Sequence, residues 1–356
     1  MVRDTIDRRR VIQGIGAAGV AGLAGCLGGG GGSDGTNVGM VYALGGLGDN
    51  SFNDMANKGI QDAEADFEVS YDNAEPSGQD EVPTLQQRFA QSTDPDYDLV
   101  CTIGFNQLSP LENTAADFPD QNFMIVDAVL EEDNVASYVF KEHEGSFQVG
   151  HLAGALTTEG YSREFDSGTY QTNGETVVGF VGGKENPLIK RFEAGYKAGV
   201  DYANEDVDVR TAYAGSWSDP GTGKEIALSM YDSGADVVYH AAGGTGAGVF
   251  QAARERGRFA VGVDSDQSRS TDQEDVIVAS MVKHVDTAVY TAVESVVDDA
   301  FPGGETDSLG LANDGVEAVL GQRYEGELPS AIVSGLEESK QGIVDGDIEV
   351  PTEPSN

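Results

Sequence analysis

Apolar runs of four to seven residues recur along residues 38–344, most followed by a turn and a stretch with helical spacing. Runs that short suit strands, and strand–helix alternation builds a parallel sheet covered by helices on both faces. Runs at 38–44, 67–71, 99–103 and 123–126 alternate with helical stretches at 51–66, 82–91 and 111–117. The first helical stretch carries Phe52, Met55, Ala56, Gly59, Ile60 and Ala63 on one face. The pattern restarts with a strand at 135–140 and a helix at 145–156. It continues through strands at 177–181, 207–214, 237–240, 259–263 and 276–282, with 158–174 reading as a polar loop. A strand or hairpin at 310–320 and a helix at 329–344 must join sheets already begun. The expectation is an α/β chain of two Rossmann-like lobes with parallel sheets, joined by several hinge crossings. The lobes are predicted to be 37–128 with 281–303, and 129–280 with 304–350.

Charge narrows the partners. The chain has 21 basic and 61 acidic residues, a formal net charge of −40 spread along its length. Nucleic acids and anionic lipid surfaces both require a positive face, so neither is an expected partner. Such self-repulsion opposes a compact state at ordinary ionic strength. At about 1 M salt the screening length falls to about 3 Å and the repulsion is largely lost. A halophilic source is inferred. Two cysteines provide neither a disulfide framework nor a cysteine-based zinc site.

The first 36 residues read as an address. Arg8, Arg9 and Arg10 precede an uncharged apolar stretch at 11–25 that is too short to span a bilayer. A basic start and a short apolar core make a secretory signal, and adjacent arginines suggest the twin-arginine route. Leu23-Ala24-Gly25-Cys26 resembles a bacterial lipobox, with cleavage before Cys26 and lipid on its sulfur. Residues 1–25 are then a leader and 26–36 a glycine-rich tether, anchoring the protein to the extracytoplasmic face of the cell membrane. Cys101 lies within an apolar strand and reads as packing.

Ligands of open α/β sheets gather outside the carboxyl ends of the strands. After the first run stands Gly45-Gly46-Leu47-Gly48-Asp49-Asn50-Ser51-Phe52-Asn53. Gly46 and Gly48 match a dinucleotide fingerprint, but Ser51 stands where its third glycine belongs. Asp49 would sit at the helix N-terminus that a phosphate needs, and would repel one. A neutral ligand with hydroxyls or ring nitrogens suits this loop better, because a carboxylate accepts their hydrogen bonds. Phe52 could stack on a ring, though its spacing also suits core packing. Asp127, after the run 123–126, could accept N–H donors from a purine or pyrimidine, or close a turn. The glycine-bearing stretch 241–248, with Gly243 and Gly244, either admits a ligand to the backbone or makes a tight turn. Asp264 follows the run 259–263, and Lys283 ends the next apolar run. An acid and an amine on neighbouring strand ends can grip a vicinal diol.

Catalytic signatures are missing from the sequence. There is no His-x-x-x-His, no Gly-x-Ser-x-Gly elbow and no P-loop. A two-lobed cleft without a nucleophile–base motif favours binding over turnover, with no cofactor and no metal expected.

The motifs at 45–53, 125–127, 144–154, 178–183, 192–196, 240–248, 262–266 and 280–283 together resemble the basic-membrane-protein, or PnrA-like, family. Its members are nucleoside-binding lipoproteins of ABC importers. The resemblance runs from about Val38 to about Val344. It implies a type I periplasmic-binding fold with a purine nucleoside held between the lobes and delivered to a permease and its ATPase. Phe52 and Phe192 would sandwich the base, Asp127 would bind its edge, and Asp264 and Lys283 would bind the ribose hydroxyls. Asp49, Asn53 and the backbone of Gly243 and Gly244 would complete the shell. A familiar form of the first motif has lysine at the place of Asn50. Two other classes compete: a binding protein for a sugar or another small metabolite, and a nicotinamide-dependent Rossmann-type enzyme.

Overall fold

The computed structural model describes residues 35–354. The expected leader, Cys26 and all but the last two residues of the expected tether lie outside the described residues. The chain enters its first strand at Thr36, whose N–H donates to the Glu68 carbonyl at 2.9 Å.

The first lobe starts with β1 (Thr36–Val41), α1 (Phe52–Asp66), β2 (Val69–Ala74), α2 (Val82–Ala90) and β3 (Leu99–Thr102). It continues with α3 (Leu108–Asp117), β4 (Asn122–Val126) and β5 (Val135–Phe140). The chain then crosses into α4 (Glu142–Glu159), a hairpin of β6 (Ser162–Phe165) and β7 (Gly168–Gln171), β8 (Val177–Gly182) and α5 (Pro187–Ala203). Next come β9 (Asp208–Tyr213), α6 (Pro220–Asp232), β10 (Ala235–Ala241), α7 (Ala247–Arg256), β11 (Phe259–Asp264), α8 (Gln267–Ser270) and β12 (Ile277–Lys283). It returns through α9 (Val285–Val297) and β13 (Thr306–Leu309), and ends with β14 (Val316–Leu320) and α10 (Ser330–Val344).

Among the described residues are two six-stranded sheets, ordered β13-β5-β4-β3-β1-β2 and β14-β12-β11-β10-β8-β9. Every pairing in them is parallel except β12 with β14. Strands β3, β8, β10, β11 and β12 are buried along their whole length. Helices cover both faces of each sheet, so apolar side chains are favoured on both. Asp236, His240, Asp264 and Lys283 are the acidic and basic side chains buried in these strands, Lys283 being 1% exposed at the end of β12.

The lobe boundaries differ from the sequence expectation. β5 pairs with β4, Phe123 opposite Val135, and therefore completes the first lobe rather than opening the second. The intervening loop resembles a fresh start in sequence, but the crossing follows β5. β13 likewise pairs with β5 in the first sheet, and residues 281–283 belong to the second sheet through β12. The expected loop at 158–174 holds the β6–β7 hairpin, whose strands are too short and polar to show an apolar run.

The chain crosses between lobes after β5, after β12 and after β13. These crossings lie side by side: Lys141 N donates to the Leu309 carbonyl at 2.8 Å, and His284 N to the Gly315 carbonyl at 2.9 Å. In the second lobe α4 and α5 pack backbone to backbone. A Cβ at Gly150 would stand 2.2 Å from the Tyr196 carbonyl oxygen, and one at Gly199 would stand 2.0 Å from that of Phe147. Glycine alone permits this approach, which sets Phe192 and Arg191 of α5 beside the start of α4.

Candidate ligand-binding site

The carboxyl ends of both sheets face one cleft of about 690 Å³, counting the space at its mouth. Of the expected residues, Asp49, Phe52, Asn53, Asp127, Phe192, Gly243, Asp264 and Lys283 line it. Gly244 does not; a Cβ there would meet the Trp217 carbonyl oxygen at 3.5 Å.

The loop from β1 to α1 is shaped by Asp49. Its Oδ1 accepts the N–H groups of Ser51 at 2.9 Å and Asp54 at 3.2 Å. Its Oδ2 accepts the backbone N–H of Asn53 at 3.0 Å and the Asn53 side-chain amide at 3.1 Å. The carboxylate thus takes the helix N-terminus for itself. In this conformation Asp49 spends its hydrogen bonds on its own loop, and Asn53 Oδ1 ties that loop to Ala43 N at 2.9 Å. Both residues shape the cleft by holding Phe52, the first residue of α1, at its wall. Asn50, where lysine is familiar, has φ 50 and contributes through its backbone. Asparagine tolerates that left-handed conformation.

Asp127 and Asp264 occupy corresponding places in the two lobes. Each directly ends or follows the third strand in its sheet order, with φ 66 and φ 64. A short acidic side chain is among the few that accept this backbone. Asp264 and Lys283 do end neighbouring strands, β11 and β12. Lys283 does not pair with Asp264 on the neighbouring strand; its Nζ reaches across the cleft to Asp127 Oδ1 at 2.5 Å. Asp264 instead accepts a hydrogen bond from the Ser51 hydroxyl of the opposite lobe. The long lysine stem spans the gap, whereas the short Asp264 side chain is met by the nearby serine.

The Lys283 ammonium also lies 4.9 Å from the ring centroid of Phe140, 5.0 Å from that of Phe52 and 5.8 Å from that of Phe192. Aromatic faces and carboxylates replace the water it has lost. Burial works against its charge, but Asp127, Glu142 and Asp264 more than reverse this and raise its pKa. Burial pushes Asp264 up to about 6, although Lys283 and Ser51 draw it down.

A second set of contacts clasps the lobes. Ser265 Oγ and Gln267 Nε2 donate to the Asn50 carbonyl at 2.8 and 3.0 Å. Gln267 Oε1 accepts from Val263 N at 2.9 Å and lies 3.0 Å from His240 Nε2. Burial holds the His240 imidazole down at about 4, so it is neutral at pH 7.

Sequence reasoning missed Trp217, Phe105, Leu188 and Ile189, which line the cleft, and Glu142, which stands behind Lys283. Trp217 is the only tryptophan of the chain and sits between glycine and serine residues in the loop after β9. A Cβ at Gly183 would strike its ring at 2.3 Å, so that glycine makes its seat. Among the described residues no cluster of three or more His, Cys, Asp or Glu side chains could hold a metal.

The family model for the ABC transporter substrate-binding protein, PnrA-like, matches residues 36–353. The chain belongs to this PnrA-like family. Among its relatives is the CD4+ T-cell-stimulating antigen of Listeria monocytogenes, 36% identical over 338 residues, covering 89% of this chain and 88% of the relative. Another is the ABC transporter nucleoside-binding protein BmpA of Lactococcus lactis, 32% identical, covering 86% of each chain. An ABC transporter solute-binding protein from Aeropyrum pernix has a similar structure, with TM-score 0.79 and 30% identity over 90% of this chain and 94% of that one. The PnrA-like chain therefore has the fold and family of a solute-binding component, and both site-bearing lobes lie within the matched region.

Proposed function

We propose that the protein is the nucleoside receptor of an ABC importer, anchored by lipid at Cys26 on the extracytoplasmic face of the membrane. The observation carrying this reading is the pairing of Phe52 from one lobe and Phe192 from the other around Lys283 in a single cleft. Two aromatic faces suit a heterocycle, and stacking contributes about 1–3 kcal/mol per base. Asp127 suits the N–H donors of a purine edge, while Lys283 and Asp264 suit the two hydroxyls of a ribose. The surplus of carboxylates over cations at the cleft disfavours a phosphorylated ligand. Closure of the lobes around the nucleoside would present one face of the receptor to the permease.

Calorimetry in high salt, on protein stripped of carried ligand, tests the reading with inosine, guanosine, adenosine and uridine. Heat of binding with at least one, weakened by Phe52→Ala, is expected. No heat with any of the four ends the nucleoside assignment. The anchor is tested separately by mass spectrometry of the membrane-extracted N-terminus, where an unmodified Cys26 would remove it.

A further inference from the structure

Two carboxylates lie within ion-pair reach of the buried Lys283 ammonium, but only Asp127 is on the cleft wall. The other, Glu142, is 0% exposed. Its Oε1 is 3.3 Å from Lys283 Nζ, and its Oε2 is 3.6 Å from Arg191 Nη1. Neither oxygen has a hydrogen-bond partner among the described residues. A carboxyl kept dry in this way is costly, and an apolar side chain of similar volume would often be no less stable. Its place in the chain explains more than packing does. Glu142 is the first residue of α4, just after the chain leaves the first lobe; Lys283 ends β12, just before it returns. The two meet where the crossings run side by side.

We propose that Glu142 is a positioning residue for ligand binding, holding the Lys283 ammonium from behind so that Asp127 can turn to a ligand. The role rests on the nucleoside reading of the cleft. An ammonium has three N–H donors and no acceptor. Without Glu142, Asp127 would be the one carboxylate among the described residues within ion-pair reach of Lys283, with Asp264 acting from farther off. When ionised, Glu142 supplies a second counter-charge, itself balanced by Arg191 on α5. An Asp127 oxygen is then available to a ligand N–H while Lys283 stays charged and keeps a donor for a hydroxyl. The groups facing this pair from the surrounding elements are Asp127 after β4, Asp264 on β11, Arg191 on α5 and Tyr239 on β10. Burial pushes Glu142 up to about 7; Lys283 and Arg191 draw it down, and Asp127 raises it.

Glu142→Gln keeps the shape and removes the charge. Two measurements on the full chain in high salt follow it: affinity for guanosine or inosine by calorimetry, and the Lys283 titration by NMR of carbon-13-labelled lysine. The Lys283 signal is assigned by its loss in Lys283→Arg. The expected result is a lower Lys283 titration midpoint and about tenfold weaker binding, the worth of one charge-assisted contact. Glu142→Asp, which retains the charge, restores both at least in part. An unchanged Lys283 titration in Glu142→Gln overturns the proposal whatever the affinity does. If Glu142→Gln does not fold, Arg191→Met replaces it: Glu142 is then left to Lys283 alone, whose titration midpoint must rise, and no rise overturns the proposal. If the wild-type protein binds no nucleoside, the ligand assignment falls, and the Lys283 titration still decides the positioning role.

Discussion

Lys283 Nζ lies 2.5 Å from Asp127 Oδ1, although the lysine ends a strand of one sheet and the aspartate follows a strand of the other. Both side chains are almost wholly buried, at 1% and 3% exposure. The pair therefore joins the lobes at the floor of the cleft.

Breaking such a pair leaves a buried charge uncompensated, typically at a cost of about 3–5 kcal/mol. Asp127→Asn keeps a side chain that tolerates φ 66, so its effect is electrostatic rather than conformational. Glu142 remains beside Lys283, so the expected loss lies at the low end of that range. The double variant Asp127→Asn with Lys283→Met should lose less than the two single losses added together. Denaturant unfolding at fixed salt measures this, and strict additivity would show that the two groups do not interact.

Removing an aromatic plate should weaken a nucleoside by the worth of one stacked face. Phe52→Ala and Phe192→Ala are each expected to cost about 1–3 kcal/mol of binding, roughly 5- to 150-fold. Asp201→Ala, on the exposed side of α5, should leave affinity unchanged. Calorimetric titrations of the three variants separate the outcomes; equal losses in all three would detach the phenylalanines from the ligand.

Asp264 makes stability depend on pH. Its carboxyl, ordinarily near 3.8, is raised to about 6 in the folded protein, chiefly by burial. The folded state thus holds this proton more tightly than the unfolded state. Its contribution is fully present below about pH 4 and is lost as pH rises through about 6. Asp264→Asn cannot ionise, so it should gain on the wild type between pH 4 and 7, by roughly 3 kcal/mol at most. Thermal unfolding at constant high salt checks the sign, and a gap that stays level with pH would refute it.

The clasp on the Asn50 carbonyl should govern release. Gln267→Met removes the 3.0 Å donation to Asn50 at little change in volume. Because changes at an interface mostly appear in dissociation, ligand release should quicken about tenfold with little change in association. Trp217, the only tryptophan and part of the cleft wall, supplies the fluorescence signal for stopped flow. Unaltered release would show that the Gln267 half of the clasp does not hold the cleft shut, Ser265 still donating to the same carbonyl.

Salt should stabilise the whole chain. With a net charge of −40, screening of self-repulsion is expected to raise the melting temperature from low salt to molar KCl. A melting temperature indifferent to KCl would remove the case for a halophilic source.

Residues directly after apolar runs were legible in the sequence. Asp127, Asp264 and Lys283 each mark the end of a buried strand, and sheet geometry sends such positions to one rim. The strand before Trp217 was legible at 207–214, but Trp217 was passed over because β9 is a half-exposed edge strand whose pattern does not mark the loop beyond it as a cleft wall. Glu142 was hidden because its partner lies far along the chain, and only the parallel hinge crossings bring them together. The lobe boundary was misplaced for a related reason: β5 looks like a beginning until its pairing with β4 is seen. The neighbouring strand ends of Asp264 and Lys283 were legible, but the reach of the Lys283 side chain to Asp127 on the opposite wall was not.

The late strands carry a consequence for how the molecule is made. The first sheet gains its edge at Thr306–Leu309 and the second at Val316–Leu320, within a few residues of each other. During synthesis neither sheet has its full set of strands before this stretch is made, and the two then gain their last strands almost together.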